Sequence, residues 1–161
     1  MMARFLTGGQ QTTINSTITE LFPALAFNNG FRPKSGDDLG QFVQSINVNS
    51  LKSKKSFTTT ADISNAKKFI EDAFSKIQPK ILKEKLDNAF GITQYLYESN
   101  KSNPINNVFW GYRIKPRGVP ANHAGDIFLM FKDKTISGVS LKAGTEKSAE
   151  PLLNTYVRTT L

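Results

Sequence analysis

Two apolar segments joined by a short polar turn lie near the C-terminal end, and this pattern constrains the fold more than any other. The first segment is DIFLMF and the second is TISGVSLKA, with KDK between them. Runs of β-branched and aromatic residues bounded by turn residues are typical of a β-hairpin. Together with the aromatic segment VFWGYRI at 108–114, the pattern predicts a three-stranded antiparallel meander.

Charged residues stand at the two ends of this predicted hairpin. Asp126 opens the first segment, and Lys142 closes the second, two positions after Ser140. Side chains alternate between the two faces of a strand, so the length of the turn decides which of them share a face. A loop with an odd number of residues, such as 132–134, places all three side chains on one face, whereas an even loop separates Asp126 from Lys142. With the odd loop, the opposite face is apolar: Ile127, Leu129, Phe131, Val139 and Leu141.

An acid and a lysine on one face suit the metal-dependent hydrolysis of a phosphodiester bond. That reaction needs a hard cation, carboxylates to hold it, and a nearby positive charge for the charge that develops. Asp126 would bind the metal, and Lys142 would orient the attacking water or stabilise the pentavalent phosphorus. The alternative interpretation is an aspartate in a turn and a lysine that extends along the surface.

The first hundred residues have helical rather than alternating spacing of apolar residues. The spacing predicts a helix over about 13–27, with the sequence NNG after it as a stop signal and Pro23 as a kink or an earlier break. A second short helix is expected over 35–47, capped by a serine or an aspartate. Residues 64–100 indicate two helices, or one helix bent near Pro79.

A last helix is predicted from about 149 to the end, with Ser148 as its N-cap and Pro151 in its first turn. The sequence therefore predicts an α+β protein of one domain over 1–161. Its helical N-terminal half covers about 12–100, and its sheet and last helix cover about 107–161.

The charge of the chain favours a polyanionic partner. The sequence has 21 Lys and Arg against 13 Asp and Glu, a formal net charge of +8. A basic surface of this kind is typical of proteins that bind nucleic acid. The polar segment 48–64 is predicted to be a loop, and its lysines are candidate phosphate contacts, as is an arginine of the later connection: Lys52, Lys54, Lys55 and Arg117.

The absence of cysteine restricts the chemistry further. It excludes disulfides, thiolate catalysis and cysteine-bound metals, so any metal must be held by oxygen or by the single histidine. The N-terminus has no signal-peptide pattern, and no run approaches the roughly 20 apolar residues of a membrane span. These features predict a cytoplasmic protein that does not enter a membrane.

The stretch GDIFLMFKDKTISGVSLKAG resembles the core of the PD-(D/E)XK nuclease superfamily. In that family an acid opens the second core strand, and an acid-x-Lys tripeptide lies in the third. The resemblance covers about 108–161 well and the first half only loosely. It implies a restriction-endonuclease-like α-β-β-β-α core, a Mg²⁺ or Mn²⁺ cofactor and a DNA substrate, with an endonuclease favoured over an exonuclease and a phage as one source.

The chain departs from the family pattern at two positions. Gly125 replaces the proline before Asp126, and Ser140 replaces the acid of the tripeptide. A subgroup of restriction endonucleases has a similar S-x-K, with the missing carboxylate supplied by the following helix. By that analogy Glu150 is the replacement ligand, with Glu146 as the second choice.

Three further groups complete the predicted site. The backbone carbonyl near Leu141 would be another metal ligand. Family members often add an acid from the first core helix, which here would be Glu20, or Glu71 if the long helix before the sheet is the true first core helix. His123 would contact a phosphate or assist a proton transfer.

Two other functions remain open from the sequence. One is a catalytically inactive relative that binds nucleic acid, and the other is a phage assembly or accessory protein. The family core also ends with a strand after the last helix, which the sequence does not supply. Three explanations stay open: the strand is dispensable, a homodimer completes the sheet, or a further C-terminal portion supplies the strand.

Overall fold

The computed structural model describes residues 8–57, 59–110, 127–140, 152–153 and 158–159, where the last four and Ser140 are described by their backbone alone. The helices are α1 (Gly8–Asn28), α2 (Gly36–Ser45), α3 (Leu51–Lys54), α4 (Ala61–Ser75) and α5 (Pro79–Ser102). The strands are β1 (Ile105–Trp110), β2 (Ile127–Phe131), β3 (Thr135–Ser140), β4 (Leu152–Leu153) and β5 (Arg158–Thr159). The predicted α+β class is confirmed.

Helix α1 extends the predicted helix at its beginning and continues through Pro23, so the break considered there does not occur. It ends where the NNG signal places the end. Gly30 has a φ of 72°, a conformation that glycine adopts without steric cost. The amide of Phe31 donates to the carbonyl of Ala26 at 2.8 Å, and the amide of Gly30 donates to that of Phe27 at 3.0 Å. This pair of bonds is the Schellman motif that closes many helices.

The other helices follow local signals in the sequence. Ser35 caps α2, and its hydroxyl accepts a hydrogen bond from the amide of Asp38 at 3.1 Å. The segment 64–100 forms two helices, and Pro79 begins the second, where its missing amide hydrogen costs nothing. The loop predicted over 48–64 is partly wrong. It contains the single helical turn α3, because the hydroxyl of Ser50 caps the amide of Ser53 at 3.2 Å.

Helix α1 lies between the other helices and the sheet. Its buried residues Ile18, Leu21 and Phe22 pack in a cluster that also contains residues of α2, α4 and α5. Ala24 belongs to a second cluster, which joins α5 to the sheet through Leu96 and Val108. Both faces of α1 therefore contribute to the core. Full burial of one aliphatic side chain stabilises a protein by about 1.5–3 kcal/mol.

The junction between α1 and α2 is held by a residue of α5. The hydroxyl of Tyr97 donates to the carbonyl of Phe31 at 2.8 Å. The guanidinium of Arg32 lies 4.2 Å from the centre of the Tyr97 ring. Burial raises the pKa of Tyr97, and the positive charge of Arg32 offsets part of that rise. The ring of Phe31 stacks on Phe42 of α2, with 4.2 Å between centres.

Strands β1, β2 and β3 form the predicted antiparallel meander. In the hairpin, Ile127 pairs with Val139 and Leu129 pairs with Ser137, so three residues connect the strands. Of the two loop lengths that the sequence left open, the structure has the odd one, over 132–134, which the nuclease interpretation requires. On the face predicted to be apolar, Ile127, Leu129 and Val139 are buried against helices α1 and α5.

The predicted helix from 149 to the end is wrong where this region is described. Leu153 pairs with Val139 and Leu152 with Ser140, while Thr159 pairs with Thr135 and Arg158 with Ile136. Thus β4 and β5 both run antiparallel to β3 along its outer edge. The free backbone groups of that edge need partners, and the β-branched and aromatic residues of NTYVRTT suit a strand better than a helix. These four residues therefore do not extend the α-β-β-β-α order.

No helix in the described part of the chain is long and apolar enough to cross a membrane.

Candidate functional site

The sequence places the predicted catalytic residues next to the open end of the hairpin, opposite its turn. Ile127 is the first residue of β2, Ser140 is the last residue of β3, and both lie at the end of the hairpin away from its turn. Most of the predicted site residues lie outside the described residues: Arg117, His123, Asp126, Leu141, Lys142, Glu146 and Glu150. The convergence of Asp126 with Lys142 therefore stays a prediction, while the register that it requires is present.

Packing fixes the backbone on both sides of this position. Ile127, Phe128 and Val139 are fully buried, and Ile127 also pairs with Trp110 of β1. Ser140 is held from its other side by its pairing with Leu152. A site at this end of the hairpin would therefore stand on rigid strands, as the precise placement of reacting groups requires.

The two candidate acids of the helical half have different positions. Glu20 is partly buried on α1, one turn before Ala24, and residues four apart share a helix face. Ala24 packs in the same cluster as Ile127 and Val139. Glu71 is exposed on α4. The position of Glu20, close to the side of α1 that faces the sheet, suits an added acid better than that of Glu71.

Within the described ranges, no three histidine, aspartate or glutamate side chains come close enough together to hold a metal ion. Of the candidate metal ligands, only Glu20 and its alternative Glu71 have described side chains. The predicted donor set of carboxylate and backbone oxygen, with no sulfur, has the chemistry that Mg²⁺ prefers.

The candidate phosphate contacts Lys52, Lys54 and Lys55 are all exposed on α3 and the residue after it. Leu51, the first residue of α3, is 84% exposed, and no other large hydrophobic residue with a described side chain is so exposed. We call these four residues the α3 surface. It places one apolar group beside three positive charges.

Buried serines attach the α3 surface to α1. Ser53 is fully buried, and its hydroxyl accepts hydrogen bonds from the side-chain amide of Asn29 at 3.1 Å and from the hydroxyl of Ser50 at 2.9 Å. Ser56 is also fully buried, and its hydroxyl accepts a hydrogen bond from the side-chain amide of Asn28 at 2.7 Å. The α3 surface therefore stands on a fixed backbone.

The same residues close the outer edge of β1. The side chain of Asn28 pairs with both backbone groups of Val108, accepting from its amide at 2.9 Å and donating to its carbonyl at 2.8 Å. The amide of Trp110 donates to the carbonyl of Ser56 at 2.7 Å. The side-chain amide of Asn107 donates to the carbonyl of Lys55 at 2.9 Å. Edge groups that would otherwise be unsatisfied are thus paired.

Sequence reasoning missed this connection, because it used Asn28 and Asn29 only as a helix stop signal. The signal that could have found it is the spacing of Ser50, Ser53 and Ser56 at intervals of three residues. On a helical turn, such residues lie on one side. A polar stripe opposite exposed lysines indicates a segment docked by hydrogen bonds.

The hairpin turn adds two more exposed lysines, Lys132 and Lys134, near the beginning of β1. The amide of Lys132 donates to the carbonyl of Pro104 at 3.0 Å. Between the lysines, Asp133 accepts hydrogen bonds from the hydroxyl of Thr135 at 2.6 Å and from its amide at 3.0 Å. These bonds lower the pKa of Asp133, so the turn keeps its one negative charge.

No protein-family model, no curated protein and no solved structure matches this chain.

Proposed function

We propose that the protein is a metal-dependent nuclease that hydrolyses phosphodiester bonds in DNA, with its site where β2 begins and β3 ends. The observation that carries the proposal is the register of the hairpin. Ile127 pairs with Val139, as required for Asp126 and Ser140 to be opposite one another. A hairpin with a two-residue turn would have put Asp126 opposite an apolar position instead.

Each residue of the site has a distinct role. Asp126 and the backbone carbonyl of Leu141 would hold Mg²⁺ or Mn²⁺, which would supply a Lewis acid and lower the pKa of water. Lys142 would orient the attacking water or stabilise the negative charge that develops on the phosphate. His123 contacts the phosphate or accepts a proton from the attacking water.

A second carboxylate is needed because Ser140 occupies the position of the usual acid. The predicted helix that would begin near Glu150 is not formed at 152–153, which is a strand. Leu152 pairs with Ser140, however, and chain geometry keeps the Cα of Glu150 within about 7 Å of that of Leu152. Glu20 is the alternative, since its helix packs along the sheet.

A cleavage assay tests the proposal directly. Supercoiled, linear and single-stranded DNA would be incubated with Mg²⁺, Mn²⁺ or EDTA, and Asp126→Ala and Lys142→Ala should each abolish cleavage. Asp133→Ala is the matched control, because it removes an acid from the opposite end of the same hairpin and should cut like the parent. Cleavage that survives Asp126→Ala, or that persists in EDTA, would show that the proposed chemistry is wrong.

The source of the second carboxylate needs its own variants. Glu150→Gln, Glu146→Gln and Glu20→Gln each keep the size of the side chain and remove its charge. Calorimetry should show weaker Mg²⁺ binding for the true ligand alone, and the double variant Ser140→Glu/Glu150→Gln should regain binding if Glu150 is that ligand. Unchanged binding in all three single variants would contradict a migrated carboxylate.

A second candidate function is nucleic-acid binding without cleavage. Two observations favour it. Position 140 is a serine where the family has an acid, and residues 152–153 form a strand where the resemblance implied a helix that carries the replacement ligand. This alternative predicts salt-sensitive DNA binding with no cleavage product under any metal condition.

A further inference from the structure

We infer that the α3 surface is the part of this protein that grips the DNA backbone, with the three lysines on phosphates and Leu51 against sugars or base edges. The inference rests on the proposed function only for its choice of DNA as the ligand. It concerns binding, so it can hold whether or not the protein cleaves what it binds.

Positive charge is less diluted by acidic residues around the α3 surface than elsewhere in the helical half. No acidic residue occurs between Asp38 and Asp62, a stretch that contains all three α3 lysines. On α4 and α5, in contrast, acids alternate with the lysines. Within the described residues, the ion pairs join Lys76 to Asp72 and Lys101 to Glu98, and neither involves the α3 surface. The α3 lysines are exposed, and the sequence on either side of them carries no acid.

The backbone that carries these lysines is already ordered. Ser53, Ser56 and the carbonyl of Lys55 are all hydrogen bonded to α1 or β1. A preorganised segment loses less conformational entropy on binding than a mobile loop does. Phosphates would therefore meet three positive charges whose Cα positions are already fixed.

Leu51 distinguishes this surface from a merely solvated turn. Its 84% exposure keeps an apolar side chain in water beside the lysines. Proteins that bind the minor groove of DNA frequently insert an apolar side chain between base steps, next to their polar and cationic contacts. An anionic membrane is a poorer fit, because binding to an interface needs a larger apolar face than one leucine provides.

The position of the α3 surface relates it to the proposed site. Lys55 is bonded to Asn107, and Trp110, three residues further along β1, pairs with Ile127 at the start of β2. Three residues of strand span about 10 Å, which is the rise of about three base pairs. DNA held at α3 would therefore reach the end of the hairpin on the order of three base pairs away.

Binding should be measured without cleavage, using the Asp126→Ala protein in EDTA and a fluorescent 20-base-pair duplex titrated at several salt concentrations. In that background, Lys52→Gln/Lys54→Gln/Lys55→Gln should weaken binding about 10- to 100-fold at 0.1 M salt and lower the slope of log K against log salt by about 2–3. The matched control is Lys80→Gln/Lys83→Gln/Lys85→Gln on α5, with the same loss of charge. It should change affinity less than about three-fold.

Leu51→Ser gives an independent test of the apolar contact. It should weaken binding by about three- to ten-fold without changing the salt slope, because no charge is lost. A parent that binds no DNA, an α3 triple variant that binds like the parent, or a control triple that loses as much would overturn the inference. So would α3-dependent binding to phosphatidylserine vesicles with DNA binding unaffected. If the parent binds through α3 but never cleaves, the nuclease proposal fails and this inference stands.

Discussion

The two edges of the sheet are closed in different ways. The outer edge of β1 is paired by the side chain of Asn28, the last residue of α1, and by the carbonyl of Ser56, in the turn after α3. The outer edge of β3 is paired by β4 and β5, each of which has two residues. One edge is therefore held by side-chain and backbone groups of the core, and the other by two short backbone ladders.

The difference shows how a mostly helical half can be joined to a sheet. An asparagine side chain carries a donor and an acceptor, so Asn28 satisfies Val108 as a neighbouring strand would. The side chain of Asn28 also donates a hydrogen bond to the hydroxyl of Ser56. One residue therefore both closes the edge of β1 and attaches the segment that carries α3. The β3 edge, in contrast, is paired through the backbone of β4 and β5, with two residues from each.

The largest expected effect comes from removing the Asn28 side chain. Asn28→Ala leaves the amide and the carbonyl of Val108 without partners, and Val108 is fully buried. Each unsatisfied buried group costs about 1–3 kcal/mol, so we expect the free energy of unfolding to fall by about 3 kcal/mol in urea denaturation. It should also weaken DNA binding, because α3 loses an anchor.

The control for that variant is Asn106→Ala. Asn106 is also on β1 but is exposed, and its amide donates only to the neighbouring side chain of Asn107 at 3.2 Å. We expect a loss below about 1 kcal/mol. Equal losses in the two variants would mean that the β1 edge is not held by Asn28.

Hydrogen exchange compares the two edges directly. The amides of Val108 and Trp110 are bonded to core groups and should exchange only on global unfolding. Amides of β4 and β5 that pair with β3 should exchange about 100-fold faster, which corresponds to about 2.7 kcal/mol less opening free energy. Similar protection at both edges would show that the two short ladders are as stable as the Asn28 edge.

The sequence predicted the parts of the fold that depend on local signals. Gly30 marked the end of α1, Pro79 marked a break or bend where α5 in fact begins, and the KDK turn was one of two loop lengths considered and is the one observed. In each case a single residue or a short turn restricts the backbone, so no distant contact is needed to decide the outcome.

The sequence failed where distant contacts decide. Ser148 and Pro151 suggested a helix start, but the residues that follow pair with β3, since the pairing of a free edge outweighs a local preference. The docking of α3 depends on Asn28, which lies about 25 residues earlier. For the candidate site, the sequence predicted the hairpin that positions Asp126, but the register says nothing about which acid replaces the one missing at Ser140.

A smaller effect is expected at Tyr97, which holds the junction next to the β1 edge. Tyr97→Phe removes the hydrogen bond to the carbonyl of Phe31 and should lower the free energy of unfolding by about 1 kcal/mol. Because burial raises the pKa of Tyr97 above its unfolded value of 10.0, its contribution is complete below pH 10 and is lost as the pH rises through the folded pKa. The variant should therefore lose less stability than the parent as the pH rises above 10.0, in denaturation at each pH. A parallel decline in both proteins would contradict this assignment.

The smallest expected effect is at the hairpin turn, which belongs to neither edge. A substitution there should change the stability of the whole sheet rather than that of one edge. Lys134 has a φ of 70°. This conformation costs a residue with a side chain about 1–2 kcal/mol, and glycine avoids that cost. Glycine instead loses more conformational entropy on folding, because its unfolded chain is more flexible. We expect Lys134→Gly to raise the free energy of unfolding by about 0.5–1 kcal/mol. Lys132→Gly is the matched control, since Lys132 has no positive φ and should lose about as much as Lys134→Gly gains. Opposite signs in the two variants, measured by urea denaturation, would confirm that the turn conformation sets the three-residue loop and with it the register. If Lys134→Gly destabilises the protein as Lys132→Gly does, contacts of the lysine side chain outweigh the backbone cost.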